Sequence, residues 1–368
     1  MGEIKMVEIR RLQRGEEQMA YRLSDRVFRN DHQKSMGLAF PSIFLPDVIS
    51  HSYGGFVDGE LVAFFGLVPS TIKVGPARLQ VYSIGSVCTH PGHRGQGYAA
   101  AILDQILEDL KQTEACLLLV SGDRSLYTRV GCRPFGQVNH YKVSRTSEPL
   151  NSGLTIREME PQDLHACARL ARERETGYDL SVQDFAILIE AEAYASCLNL
   201  HHKVLVLKND GEVKAFLAAG IPNNLDDSAK ATGIEWAGEP YDVVQLAKEL
   251  LNREELTEIS LPVPWHDSAL QKALEGYEYQ TKGNQGTILI INPDRLVEQA
   301  APYYKQLRGS LSLSWNKGQG AGQLFIAGKT IQLSLEEMLQ FFFNPEYKKG
   351  AVNGQALPFP YTAGLNYI

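Results

Sequence analysis

The sequence has 368 residues, more than one ordinary domain, so two or three are expected. Hydrophobic residues make up 44% and charged residues 21%, which excludes a disordered chain and allows real cores. The net charge of −7 argues against nucleic acid and anionic membrane surfaces as partners, and suits a cationic one.

The opening Met1-Gly2-Glu3-Ile4-Lys5-Met6 lacks the apolar core of a secretory signal and carries no myristoylation signal. No apolar run approaches the ~20 residues of a membrane-spanning helix, so the cytoplasm is the expected location. Ile9 and Arg10 open a first strand. Val57-Asp58-Gly59-Glu60-Leu61 places an Asp-Gly turn between apolar strands, and Lys73-Val74-Gly75-Pro76 marks a second turn. The chain up to this point therefore reads as antiparallel hairpins.

An apolar, β-branched stretch over residues 84–89 then stops at Pro91. Gly95 and Gly97 flank Gln96, and a helix-like run begins at Tyr98-Ala99-Ala100-Ala101-Ile102-Leu103. A strand, a tight glycine loop and a helix start aim several backbone N–H groups at one point, where the helix dipole adds partial positive charge. A phosphate or pyrophosphate is the natural guest, and Arg94 adds a full charge and a fork of donors. Gly95-Gln96-Gly97-Tyr98-Ala99-Ala100 fits the dinucleotide pattern G-x-G-x-x-G/A, and Asp123 follows the next apolar strand, residues 116–120. Position counts against that reading. A dinucleotide fold opens with its glycine loop on the first strand of a parallel unit, whereas this loop follows hairpins.

Beyond that strand come Ser121-Gly122-Asp123-Arg124-Ser125-Leu126-Tyr127, then Gly131-Cys132. Gly131 is placed to be the left-handed residue that ends a short helix. Taken alone, Tyr127 reads as an amphipathic core tyrosine. The five cysteines (Cys88, Cys116, Cys132, Cys167, Cys197) are odd in number, show no C-x-x-C pair and are expected to be reduced and buried. His90 and His93, and the adjacent His201 and His202, lack companion ligands at metal spacing, so no metal is expected.

The punctuation of the first half recurs in the second. Asp58-Gly59-Glu60-Leu61-Val62-Ala63-Phe64 returns as Asp210-Gly211-Glu212-Val213-Lys214-Ala215-Phe216, and Ile9-Arg10 returns as Ile156-Arg157. Asp123-Arg124-Ser125-Leu126 is answered by Asp267-Ser268-Ala269-Leu270, and Gly131-Cys132 by Gly276-Tyr277. Four matches in order, at an offset of roughly 150 residues, predict two copies of one fold. The second copy has no glycine loop: Tyr241-Asp242-Val243-Val244-Gln245-Leu246 reads as an amphipathic helix, and Gln271 replaces Tyr127. Without glycine, the backbone cannot approach a pyrophosphate closely. From about residue 300, strand-like runs at 311–315, 323–326 and 330–333 precede a helix opened by the capping box Ser334-Leu335-Glu336-Glu337 and closed by Pro345. Residues 351–368 are uncharged and rich in aromatics, so they are expected to dock on the body of the protein.

Arg94-Gly95-Gln96-Gly97-Tyr98-Ala99 also fits R-x-x-G-x-G/A, and on these residues the chain resembles the GNAT N-acetyltransferases, whose loop holds the pyrophosphate of coenzyme A. Helix, antiparallel hairpins, then glycine loop is that family's order. Leu126-Tyr127 and Gly131 match its L-Y-x-x-x-G-F pattern, from which Cys132 departs. A catalytic GNAT domain (1–150), a degenerate GNAT-like domain (151–299) and a small C-terminal region (300–368) together resemble the Eis-type (enhanced intracellular survival) enzymes. The last region is shorter than that family's sterol-carrier-like domain. The implied fold is α/β (α+β): tandem GNAT folds, each a mixed, largely antiparallel sheet with flanking helices, plus a small C-terminal α+β region.

The resemblance implies transfer of acetyl from acetyl-CoA to a primary amine, by direct attack in a ternary complex and without a metal. Pantetheine would insert between the strand holding Val87, Cys88 and Thr89 and the strand ending at Ser121, with the pyrophosphate on Arg94, Gly95, Gln96, Gly97, Tyr98 and Ala99. A backbone N–H near Val87 would stabilise the oxyanion. Tyr127, with an ordinary pKa of ~10, would protonate the departing thiolate. The family assigns the terminal carboxylate, here on Ile368, as the base; its ordinary pKa of ~3.3–3.7 keeps it ionised at neutral pH. No base pairs with Cys88, so no acyl-cysteine is expected. The amine partner, small molecule or peptide, is not specified, and assembly into a homo-oligomer is left open. Two other readings stand beside this one: a non-catalytic acyl-CoA-binding or sensing protein, and a nicotinamide-dependent oxidoreductase, which the hairpin order disfavours.

Overall fold

The computed structural model describes residues 7–30, 33–146, 153–223, 230–308, 311–316, 321–326, 329–349, 352–353 and 356–368. The strands of the first half are β1 (Glu8–Arg11), β2 (Tyr53–Val57), β3 (Glu60–Val74), β4 (Ala77–Thr89), β5 (Leu117–Val120) and β6 (Val138–Ser144). There follow β7 (Leu154–Glu158), β8 (Thr176–Tyr178), β9 (Leu200–Asn209), β10 (Glu212–Pro222), β11 (Ala231–Gly238), β12 (Glu258–Pro264), β13 (Tyr279–Lys282) and β14 (Thr287–Ile290). The C-terminal strands are β15 (Leu311–Asn316), β16 (Ala321–Ile326) and β17 (Lys329–Ser334). Among the helices are α1 (Glu17–Phe28), α2 (Met36–Ala39), α3 (Pro41–Phe44), α4 (Tyr98–Leu110), α5 (Ser125–Thr128) and α6 (Leu164–Glu173). The remainder are α7 (Val182–Ile189), α8 (Ala193–Cys197), α9 (Pro240–Arg253), α10 (Ser268–Ala273), α11 (Pro293–Arg308) and α12 (Leu335–Phe343).

These elements form two compact units, neither continuous in sequence. One holds residues 1–135, 286–356 and Ile368; the other holds residues 136–285 and 357–367. In the first, the strands run β1-β2-β3-β4-β5-β14, antiparallel except for the parallel pair β4–β5. Asp58 (φ 52°) and Gly59 (φ 82°) both adopt positive φ, the type I′ turn expected of an Asp-Gly hairpin. The middle of β3 is buried without alternation, because helices cover both faces of the sheet there. On α4, Ile102, Leu103, Ile106 and Leu110 recur at helical spacing and pack onto Tyr53, Leu67, Ile84 and Leu118. The C-terminal region belongs to this unit. The Gln299 side chain on α11 accepts from the Gln80 N–H of β4 at 2.7 Å, and β15-β16-β17 form a separate antiparallel sheet before α12. Ser334 and Glu337 make the expected reciprocal cap at the start of α12.

The second unit repeats the plan with the order β13-β6-β12-β11-β10-β9-β7. Asp210 (φ 49°) and Gly211 (φ 82°) reproduce the Asp-Gly turn, and β11–β12 is again the parallel pair. Arg10 grips Glu16 at 2.7 Å in the first unit, and Arg157 grips Asp163 at 2.6 Å in the second, with the same six-residue spacing between strand and helix. Apolar clusters cover both faces of this sheet, one around Leu246 and Leu250 of α9 and one around Phe185 and Cys167. Residues 357–367 dock here as expected. Leu357, Phe359, Ala363 and Leu365 are buried, and buried Asn284 holds the Pro360 carbonyl and both polar groups of Thr362.

Each sheet takes in an element from the other half of the chain. The edge of β5 is completed by β14, and the edge of β12 by β6. Four cysteines are buried as expected, whereas Cys197, the last residue of α8, is exposed; all five are free. No helix among the described residues is long and apolar enough to cross a membrane.

Candidate active site

The parallel pairing of β4 with β5 runs from Val81↔Leu117 to Ile84↔Val120, and the Ser121 N–H closes it on the Ile84 carbonyl at 3.2 Å. There the strands part, because β5 ends while β4 continues to Thr89. β4 also changes register against β3: Phe64 faces Cys88, but Gly66 faces Gly85. A two-residue step on β3 opposes a three-residue step on β4, which is a β-bulge. Ser86 occupies it at φ 52°, and its hydroxyl is buried without a partner. Val87, Cys88 and Thr89 therefore lie on a stretch of β4 whose β5 side carries no strand, and whose backbone groups are re-aimed by the bulge.

The glycine loop follows. Gly95 (φ 77°) and Gly97 (φ 81°) are both left-handed, with open space where a Cβ would stand. Glycine is required at these positions by backbone conformation rather than by crowding. Gly97 caps α4, no side chain caps it, and the first helical bond runs from the Ala101 N–H to the Gly97 carbonyl. The N–H groups of Tyr98, Ala99 and Ala100 thus face the loop. The Tyr98 hydroxyl donates to Gln96 Oε1 at 2.6 Å and fixes that side chain. Exposed Arg94 donates from Nε to the Thr89 carbonyl at 3.3 Å, which leaves its terminal nitrogens for an anion.

Tyr127 lies on α5, with its ring in the core beside Ile102 and Leu118 and next to Gly122. Burial pushes its phenol up to about 12. Gly131 (φ 101°) ends the turn as expected, and the Cys132 N–H returns to the Tyr127 carbonyl. Cys88 faces Ser24 of α1 at 3.7 Å, and burial pushes its thiol up to about 12, so it stays a thiol.

Ile368 is buried, and its backbone carbonyl group lies against Gly85. A Cβ built on Gly85 would fall 2.3 Å from the Ile368 carbonyl carbon and 2.6 Å from its oxygen. Gly85 was not among the residues singled out from sequence. Its signal was there, since a lone glycine inside a strand pattern marks a bulge or a close backbone approach.

Among the described residues of the second unit these features are absent. α9 opens on Glu239 and Pro240, and Gln271 is occupied with the Pro264 and Trp265 carbonyls. Among the described residues no cluster of His, Cys, Asp and Glu is arranged to hold a metal.

Residues 8–135 match the acetyltransferase (GNAT) domain family. That stretch lies wholly within the first unit and includes the bulge, the glycine loop and Tyr127. Over nearly its whole length the chain is Eis-like in fold, being similar to Eis1 from Mycobacterium abscessus (13% identity, TM-score 0.59, covering 89% of this chain and 85% of that one). It is similar also to a probable N-acyltransferase from Enterococcus faecalis V583 (14%, TM-score 0.66, 92% and 90%) and to a GCN5-related N-acetyltransferase from Kribbella flavida (11%, TM-score 0.63, 90% and 84%). No curated protein matches the sequence.

Proposed function

We propose that the protein is an acetyl-CoA-dependent N-acetyltransferase that acetylates a primary amine by direct attack within a ternary complex. The observation that carries this reading is the Ile368 carbonyl group lying at Gly85, beside the bulge where β4 leaves β5. The glycine loop and the start of α4 hold the pyrophosphate, with Arg94 at the entrance. The backbone of Val87 to Thr89 receives pantetheine in extended form, and an N–H beyond the bulge stabilises the oxyanion. The Ile368 carboxylate takes the ammonium proton, directly or through one water, so that the nitrogen lone pair can attack the thioester carbon. As the C–S bond breaks, the Tyr127 hydroxyl gives its proton to the thiolate, and the phenolate regains one from the attacking nitrogen, which is cationic once the C–N bond has formed.

Calorimetry with acetyl-CoA is expected to give one site per chain. Gly97→Ala puts a methyl group at φ 81° and into the space a phosphate would fill, so affinity should fall at least about tenfold. Two sites per chain, or unchanged affinity in the variant, would overturn the assignment of the loop. Mass-spectrometric screening of amines with acetyl-CoA identifies the acceptor; tight binding without turnover of any amine would favour the acyl-CoA-sensing reading instead.

A further inference from the structure

The second unit contains a cavity of about 390 Å³, within the roughly 300–1,000 Å³ of small-ligand sites. It lies where β11 and β12 part. Their parallel pairing covers only Ala231↔Ile259 and Thr232↔Ser260, and β11 then bulges at Ile234, where Ala218 faces Glu235 but Ala219 faces Gly233. The starts of α9 and α10 border it, and Tyr361 of the docked tail lines it. In the plan of the fold it is the counterpart of the opening between β4 and β5, yet its chemistry is different.

The balance of charge around it favours a cation. Pro240, the first residue of α9, has no N–H to offer, and Glu239 and Asp242 put carboxylates where the first unit has its glycine loop. Inside, Glu175, Glu235 and Asp267 stand against one cation, Arg174. Its Nη1 donates to Glu235 and, at 2.7 Å, to the Trp236 carbonyl, while its buried Nε has no partner. His266 Nε2 donates to the Phe359 carbonyl at 3.0 Å, which leaves Nδ1 as an acceptor; burial lowers the pKa of the ring and keeps it neutral. Thr176 is only 6% exposed and lines the cavity, and its hydroxyl has no partner. An unpaired buried hydroxyl is costly, and a bound donor removes that cost. Trp236 supplies an aromatic wall.

We propose that this cavity is a binding site for a small organic ammonium ion, a primary amine on a short apolar body. The ammonium group is held by the Asp267 and Glu175 carboxylates and the Thr176 hydroxyl, and the apolar body lies against Trp236. The site belongs to the second unit and does not depend on the acyl-transfer reading.

Saturation-transfer NMR on the full chain tests it, with n-butylammonium as probe and n-butyrate and n-butanol as controls. Asp267→Asn keeps the side-chain oxygen that accepts the Leu270 N–H at the start of α10 while removing the charge, and Thr176→Val removes the hydroxyl. Each should weaken butylammonium binding at least about tenfold, whereas Tyr127→Phe, in the other unit, should leave it unchanged. Both controls should bind at least about tenfold more weakly than the ammonium probe. Glu175 is exposed, so Glu175→Gln folds whatever happens to the other variants, and it should weaken binding about threefold or more. No binding of butylammonium at ~100 mM, butyrate binding as tightly, or unchanged affinity in these second-unit variants would overturn the proposal.

Discussion

Three residues appended after Ile368 should lower kcat by ~10²–10⁴ while the melting temperature stays within a degree or two. The buried side chains that hold the tail, from Leu357 to Leu365, are untouched by such an extension. Only the carboxylate moves, from beside Gly85 to a place three residues further on. Gly85→Ala provides the same test by another route, because its methyl group would overlap the Ile368 carbonyl group at 2.3 Å and push it away. Binding of acetyl-CoA should change little in either protein, so the loss should fall on turnover rather than on KM. Full activity in both would place the base elsewhere and remove Ile368 from the mechanism.

Tyr127→Phe should cost a similar ~10²–10⁴ in kcat with nearly normal acetyl-CoA affinity. Phenylalanine keeps the ring that packs against Ile102 and Leu118 and deletes only the hydroxyl. Because burial favours the neutral phenol and pushes it up to about 12, Tyr127 remains protonated across the physiological range. It therefore holds the proton it would give, and any loss of rate from its ionisation belongs on the alkaline limb of the pH profile. A variant with near-normal kcat and an intact fold would leave Tyr127 as a core residue.

Features written in consecutive residues were legible in the sequence. Asp58-Gly59 and Asp210-Gly211 specify their turns through the φ values they tolerate, Ser334 and Glu337 specify a helix start, and Gly95 and Gly97 specify the left-handed backbone of the loop before α4. The repeat was legible for the same reason. Its Arg10–Glu16 and Arg157–Asp163 clamps were written in the sequence as well, but as a spacing between two elements rather than within one. The bulge at Ser86 depends on β3, which decides how many residues of β4 fit opposite it. The approach of Ile368 to Gly85 joins positions nearly three hundred residues apart. The exchange of β6 and β14 could not be read from composition or periodicity either, because a strand's pattern says which face is buried and not which neighbour it takes.

That exchange bears on how the protein is made. A ribosome that has released the whole glycine loop and Tyr127 has still not delivered β14, so β5 waits with an unpaired edge through roughly another hundred and fifty residues of synthesis. The first unit cannot mature ahead of the rest, as an N-terminal domain ordinarily does. A fragment cut near residue 150 would carry every residue of the glycine loop and yet present a sticky half-sheet, while β6 at its end would lack the strands it pairs with. The first sheet is thereby completed only after residues 136–285, the bulk of the second unit, have been made.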